Sequence, residues 1–110
     1  MKRYYPVLVE KKEDTYYAHY PGLENLVIER VFNDTLDDTF EDARYALCDF
    51  FFQIERTKTY ADATDIPEPL NMKDIDIPNG WYFCMMLIDT EWFYKTYIDI
   101  VKYDKNPYCN

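Results

Sequence analysis

Between Asp34 and Arg56 the apolar residues recur at Leu36, Phe40, Ala43, Leu47, Phe50 and Ile54, a spacing of alternating fours and threes that lines one side of an α-helix. The stripe predicts the main helix of the chain. Thr35 stands before it with Asp38 three residues on, so the hydroxyl is placed to accept from the N3 amide while the carboxylate reaches back, an acidic capping box. Asp37, Asp38, Glu41 and Asp42 crowd the first two turns and Arg56 lies near the other end, the arrangement a helix dipole favours.

Shorter periods flank this helix. Tyr4 to Glu10 (YYPVLVE) and Thr15 to Tyr20 (TYYAHY) are rich in β-branched and aromatic residues and are joined through the charged turn KKED, which predicts a β-hairpin. Pro6 cannot donate to a ladder, so either the first strand lies at an edge or the missing N–H points away from a neighbour. Leu26 to Asn33 alternates in part and is expected as a third strand. Thr57 to Asn79 carries Pro67, Pro69 and Pro78 without periodicity, a long connection whose Ile66, Leu70, Met72, Ile75 and Ile77 can anchor it across an exposed face.

Gly80 to Asp89 (GWYFCMMLID) is the most apolar strand and is expected at the centre of the sheet, with both faces apolar. One helix covers one face of a small sheet. Tyr82, Cys84, Met86 and Ile88, or their alternates, therefore need a second cover from the loop or from another subunit, and a homodimer, a higher oligomer or a heterologous partner is expected. Thr90 to Tyr103 reads as a short helix capped by Asp89 or Thr90, then a strand in YIDIVKY. The whole predicts an α+β fold: a small antiparallel sheet with one main helix packed on it, in the order β-β-β-α-β with a short α or β tail. A single domain is expected over residues 1–103, with the Pro-containing loop at 57–79 and a tail at 104–110.

Composition adds a sign. The 110 residues carry 21 acidic and 12 basic side chains for a formal net charge of −9, which argues against direct nucleic-acid binding, because such surfaces gain affinity by replacing counterions with Lys and Arg. A basic partner suits this surface, and a soluble cytoplasmic protein is the plainer reading of the same charge. Aromatics are 19% of the chain, with 12 tyrosines, more than one interior needs. Cys48, Cys84 and Cys109 lack CxxC spacing and come with the single histidine, His19, so no disulfide framework, zinc site or other cofactor is implied. The charges at Glu10 to Asp14 arrive too soon for a signal peptide, and the run from Trp81 to Ile88 is too short for a bilayer span. A cytoplasmic protein with reduced thiols and no membrane contact is expected.

Two-metal nuclease work needs carboxylates gathered within reach of both ions, and the strands offer Glu10 and Asp89 alone. Asp89 fits a helix cap better than a metal ligand, and His19 has no Ser or Cys beside it; no enzyme is expected. Asp34, Asp37, Asp38, Glu41 and Asp42 form either a solvated helix start or a partner-contact patch. Trp92, Tyr94 and Tyr97 serve as interface anchors or as core or dimer packing.

The segments YYPVLVEKKEDTYYAHYPGL, DTLDDTFEDARYALCDFFF, IPEP and WYFCMMLIDTEWFYKTY, in this order, resemble the HicB family of antitoxins from about Tyr4 to Tyr97. Asp34-Thr35-Leu36-Asp37-Asp38 matches the family's helix opening, with Ala43, Ala46 and Leu47 at the later places. The resemblance implies a partial RNase H-like fold and a partner, a small basic RNA-cleaving toxin of the HicA type that the antitoxin binds and neutralises. Two departures stand out: Leu26 to Asn33 is longer and more apolar than the family's third strand, and the sequence ends at KYDKNPYCN where members continue into a DNA-binding module. Repression by direct DNA contact is therefore not expected. The rival reading is a stand-alone homo-oligomeric binding protein of mobile-element origin with a different partner.

Overall fold

The first hairpin closes on two residues, Glu13 and Asp14, between β1 (Lys2–Lys12) and β2 (Thr15–His19), with Lys12 opposite Thr15 and Leu8 opposite His19. Glu13 takes φ of 56°, the left-handed backbone such a tight hairpin requires of its first turn residue. This computed structural model describes residues 1–57 and 66–98. Two further strands complete an antiparallel sheet in the order β3-β2-β1-β4: β3 (Phe32–Asn33) pairs with β2, and β4 (Tyr82–Asp89) pairs with β1 along its whole length. With α1 (Leu36–Thr57) between β3 and β4, the α+β class and the order β-β-β-α-β are those the periodicity predicts.

Two strand expectations are corrected, and of the two alternatives for Pro6 the second holds. β4 lies at the edge of the sheet and not at its centre, and β1, which carries Pro6, lies in the middle. Pro6 is tolerated there because β2 reaches only as far as the Leu8–His19 pair, so no strand sits where its N–H would have pointed. The third strand is two residues long. Leu26, Ile28 and Val31 lean on the core from irregular backbone, tied to β2 through the Ala18 N–H to the Val31 carbonyl at 3.0 Å.

Thr35 caps α1: its Oγ1 accepts the Asp38 N–H at 3.1 Å, as the spacing predicts, while no return bond from the Asp38 carboxylate forms among the described residues. The buried face is turned slightly from the predicted stripe. Thr39, Ala43, Leu47, Cys48 and Phe51 are fully enclosed, whereas Leu36, Phe40, Phe50 and Ile54 pack at the margin. Thr39 is polar but satisfied, its hydroxyl donating 2.7 Å to the Thr35 carbonyl. Tyr5, Val7 and Val9 of β1 meet this face, Tyr5 stacking on Phe51 with ring centroids 4.9 Å apart. Burying a side chain such as Phe51 contributes roughly 2–3 kcal/mol, so this seam holds helix and sheet together.

Asp89 ends β4 and caps α2 (Thr90–Phe93), its Oδ1 accepting from Glu91 and Trp92 at 3.1 and 3.0 Å. The chain then continues as one wide π turn, Tyr94–Ile98, so Tyr97 and Ile98 are helical and not the start of a strand; the rest of YIDIVKY, the tail 104–110 and Cys109 lie outside the described residues. Residues 58–65 of the predicted loop also lie outside them. The remainder of that loop is anchored unevenly: Ile66 is buried and Leu70 half-buried, while Met72 and Ile77 are exposed. The Tyr5 hydroxyl donates to the Pro67 carbonyl at 2.7 Å, and a single 3-10 turn spans Met72–Asp74.

Candidate partner-binding surfaces

The face of the sheet turned away from α1 carries Tyr4, Pro6 and Leu8 from β1, Phe83, Met85 and Leu87 from β4, Tyr17 and His19 from β2, and Phe32 from β3, as the registers dictate. None of these belongs to the core cluster. Pro6 and Leu8, in the middle strand, are shielded; Tyr4 and Phe32 are 57% and 61% exposed. The helix covers one face, and the loop reaches only part of the other.

Where the loop does reach this face it builds a groove. Trp81 lies on the His19 imidazole with ring centroids 4.7 Å apart and 26° between planes, and His19 Nε2 is 3.0 Å from Glu10 Oε1. Around these runs an open groove of about 800 Å³ whose floor includes Leu8, Tyr17 and Trp81. Its rim carries Glu24, Glu29, Asp74 and Asp76, with Arg30 and Lys12 as the basic residues. Lys12 is 3.9 Å from Glu10, but none of those four rim carboxylates forms an ion pair among the described residues. The groove is therefore acidic at its edge and aromatic at its base.

Tyr20 lines the same groove with its hydroxyl buried and without a hydrogen-bond partner among the described residues. Burial raises its ionisation far above the ordinary tyrosine value, and the charges of Glu29 and Asp42 add to the shift. Asp42 marks the junction with the acidic start of α1: Glu29, Arg30, Val31 and Phe32 line both this groove and a smaller one of about 220 Å³ that Asp42 enters. Asp34, Asp37, Asp38, Glu41 and Asp42 are all exposed, and Asp42 accepts a hydrogen bond from Asn33 Nδ2. The predicted acidic patch and the groove thus share the wall formed by residues 29–32.

The predicted aromatic anchors lie elsewhere and are engaged internally. Trp92 is half-buried under the Arg44 guanidinium, 4.2 Å from its ring centroid, and Tyr94 packs on Phe52 at 5.8 Å. Tyr97 is more open, edge-on to Tyr45 at 5.0 Å. The packing alternative describes Trp92 and Tyr94 better than free anchors do.

Glu10 and Asp89 do not come together. Asp89 stands opposite Lys2, whereas Glu10 lies one residue past the Val9–Tyr82 pair, roughly 26 Å along β1. Among the described residues no three His, Cys, Asp or Glu side chains converge as a metal-binding group. No described helix is long and apolar enough to cross a membrane.

No family model, curated protein or solved structure matches the chain. What the surface binds must therefore be argued from its own residues. The groove escaped the sequence reading because its acids come from two connections on either side of α1. The available signal was Asp74 and Asp76 alternating with Ile75 and Ile77, and Glu24 and Glu29 bracketing Leu26 to Ile28: charged residues in segments apolar enough to be held against the sheet.

Proposed function

We propose that this chain is a non-enzymatic, antitoxin-like protein of the HicB type that binds a small basic RNA-cleaving toxin in the cytoplasm and neutralises it. The observation that carries the reading is the groove whose four rim carboxylates form no ion pair among the described residues, above an aromatic floor, in a chain of net charge −9. An RNA-cleaving protein must present Lys and Arg to phosphates. Carboxylates held at a groove rim compete for those cations, and Tyr17 and Trp81 offer apolar area for the stems and rings around them. Neutralisation on this reading is occlusion: the antitoxin takes the surface on which RNA would lie. The two described cysteines, Cys48 and Cys84, are free thiols, which suits a reducing compartment.

The test is whether a neighbouring reading frame encodes a short basic protein and, where it does, co-expression with that protein. Growth should be rescued and the two chains should co-purify, with an association rate that falls steeply as salt rises. Reversal of Glu24, Glu29, Asp74 and Asp76 to Lys should abolish the rescue while the far-UV spectrum is kept. Rescue by the reversed variant, or no complex at low salt, would remove this reading.

A further inference from the structure

We propose that β4 is a dimerisation edge, on which a second copy of this chain pairs antiparallel about a two-fold axis at Met85. The strand runs eight residues along the outside of the sheet, and among the described residues no backbone group pairs with its outer edge. Natural edges are blunted by Lys, Pro, bulges or short length. Tyr82 to Ile88 has none of these, whereas the opposite edge, β3, is only two residues long.

The ladder fixes which groups are free. Pro6, which has no N–H, stands opposite Met85, so the two form a non-hydrogen-bonded pair and Met85 turns its N–H and C=O outward. Phe83 and Leu87, two residues away on either side, do the same.

A two-fold axis perpendicular to a sheet keeps its faces, so only residues of equal parity can meet across it. With the axis at Met85, Phe83 faces Leu87 of the copy, Cys84 faces Met86, Tyr82 faces Ile88, and Met85 faces itself. Every one of these pairs is apolar. Shifting the axis by one residue to Met86 instead sets Phe83 against Asp89, which is already committed to capping α2. Side chains therefore favour the register at Met85 over that at Met86, since the backbone admits either.

The occupant follows from charge. Each chain carries −9, so two copies repel wherever their acids face, yet Tyr82 to Ile88 contributes no charge and opposes none in this register. A cationic protein would gain nothing electrostatic at this edge, whereas a copy loses nothing there. Eight residues give an edge about 27 Å long, and with side chains standing roughly 5 Å on each face the contact covers on the order of 500 Å² in total, so the pair is a weak, concentration-dependent one. Cys84 and Met86 face α1 but remain half-buried because the helix does not reach beyond the edge; the copy's Met86 and Cys84 would lie beside them.

Sedimentation of the full chain tests this. The wild type should move toward twice the 13.4 kDa of one chain as its concentration is raised. Met85→Pro removes an outward N–H without touching the pairs to β1 and should weaken self-association about tenfold or more, with the far-UV spectrum unchanged. Should that variant misfold, Met85→Lys, which sets two like charges face to face at the axis, should give a folded monomer. A wild type that stays monomeric up to the highest soluble concentration, or a folded Met85→Lys that dimerises as tightly as the wild type, would overturn the proposal.

Discussion

Gly22 faces Leu70 so closely that a Cβ added at Gly22 would lie 2.8 Å from Leu70 Cγ and 3.1 Å from Cδ1. The glycine also holds φ of 83°, a backbone that side chains disfavour. This contact ties the turn after β2 to the loop that forms one wall of the groove. Gly22→Ala should cost about 1–2 kcal/mol of stability, part from the left-handed backbone and part from displacing Leu70, and denaturant titration measures it. An unchanged midpoint would show that Leu70 moves aside freely.

Glu13 makes the opposite prediction. It adopts φ of 56° without being glycine, at a two-residue turn where its side chain is exposed. Glu13→Gly should raise stability by about 0.5–1 kcal/mol, because relief of the left-handed penalty exceeds the added freedom of the unfolded chain. Thermal unfolding at neutral pH decides the sign, and a lower midpoint would contradict it.

Local chemistry was legible and pairing at a distance was not. The cap on α1 could be read because Thr35 and Asp38 are three residues apart, and the cap on α2 because Asp89 directly precedes it. The position of β4 could not be read. Its apolar residues on both faces suggest a central strand, but strand order depends on which hairpin it joins, and it joins β1 on the side that β2 leaves open. The helix stripe came out turned toward Thr39 and Phe51 because a Thr whose hydroxyl returns to its own backbone is as easily buried as Ala, a fact apolar counting omits. The groove needed the tertiary structure altogether.

Stability should fall at alkaline pH, and the sign follows from three buried protons. Burial raises the ionisation of the Cys48 thiol above its ordinary 9.0, opposed by the Asp89 backbone and Arg44; it raises Tyr5 above 10.0, opposed by Arg3; and it raises Tyr20, with Glu29 and Asp42 adding to the effect. Each folded group holds its proton more tightly than the unfolded one, so the full contribution is present below those ordinary values and is lost as pH rises past them. The slope is at most ~1.4 kcal/mol per pH unit for each group. Tyr20→Phe, which removes a hydroxyl that has no partner among the described residues, should flatten the decline between about pH 9 and about pH 12 while leaving neutral stability nearly unchanged. Parallel curves for the two proteins would exclude Tyr20 from the effect.

The two acidic regions make separable contributions to association with a basic toxin. Asp37, Asp38, Glu41 and Asp42 are exposed on the first turns of α1, so their field acts before contact and is screened by salt. Their joint replacement by Ser should slow association several-fold at low ionic strength, should lose most of that effect near 0.5 M salt, and should leave the dissociation rate alone. Glu29 stands in the wall shared by both grooves and lies close enough to influence Tyr20. Glu29→Lys should therefore speed dissociation as well as slow association, and its effect should persist at high salt because a contact at a groove wall is less screened than an exposed turn. Stopped-flow mixing with the toxin resolves both rates. Identical salt dependence for the two variants would mean that the groove takes no part in contact and that long-range attraction alone accounts for the charge.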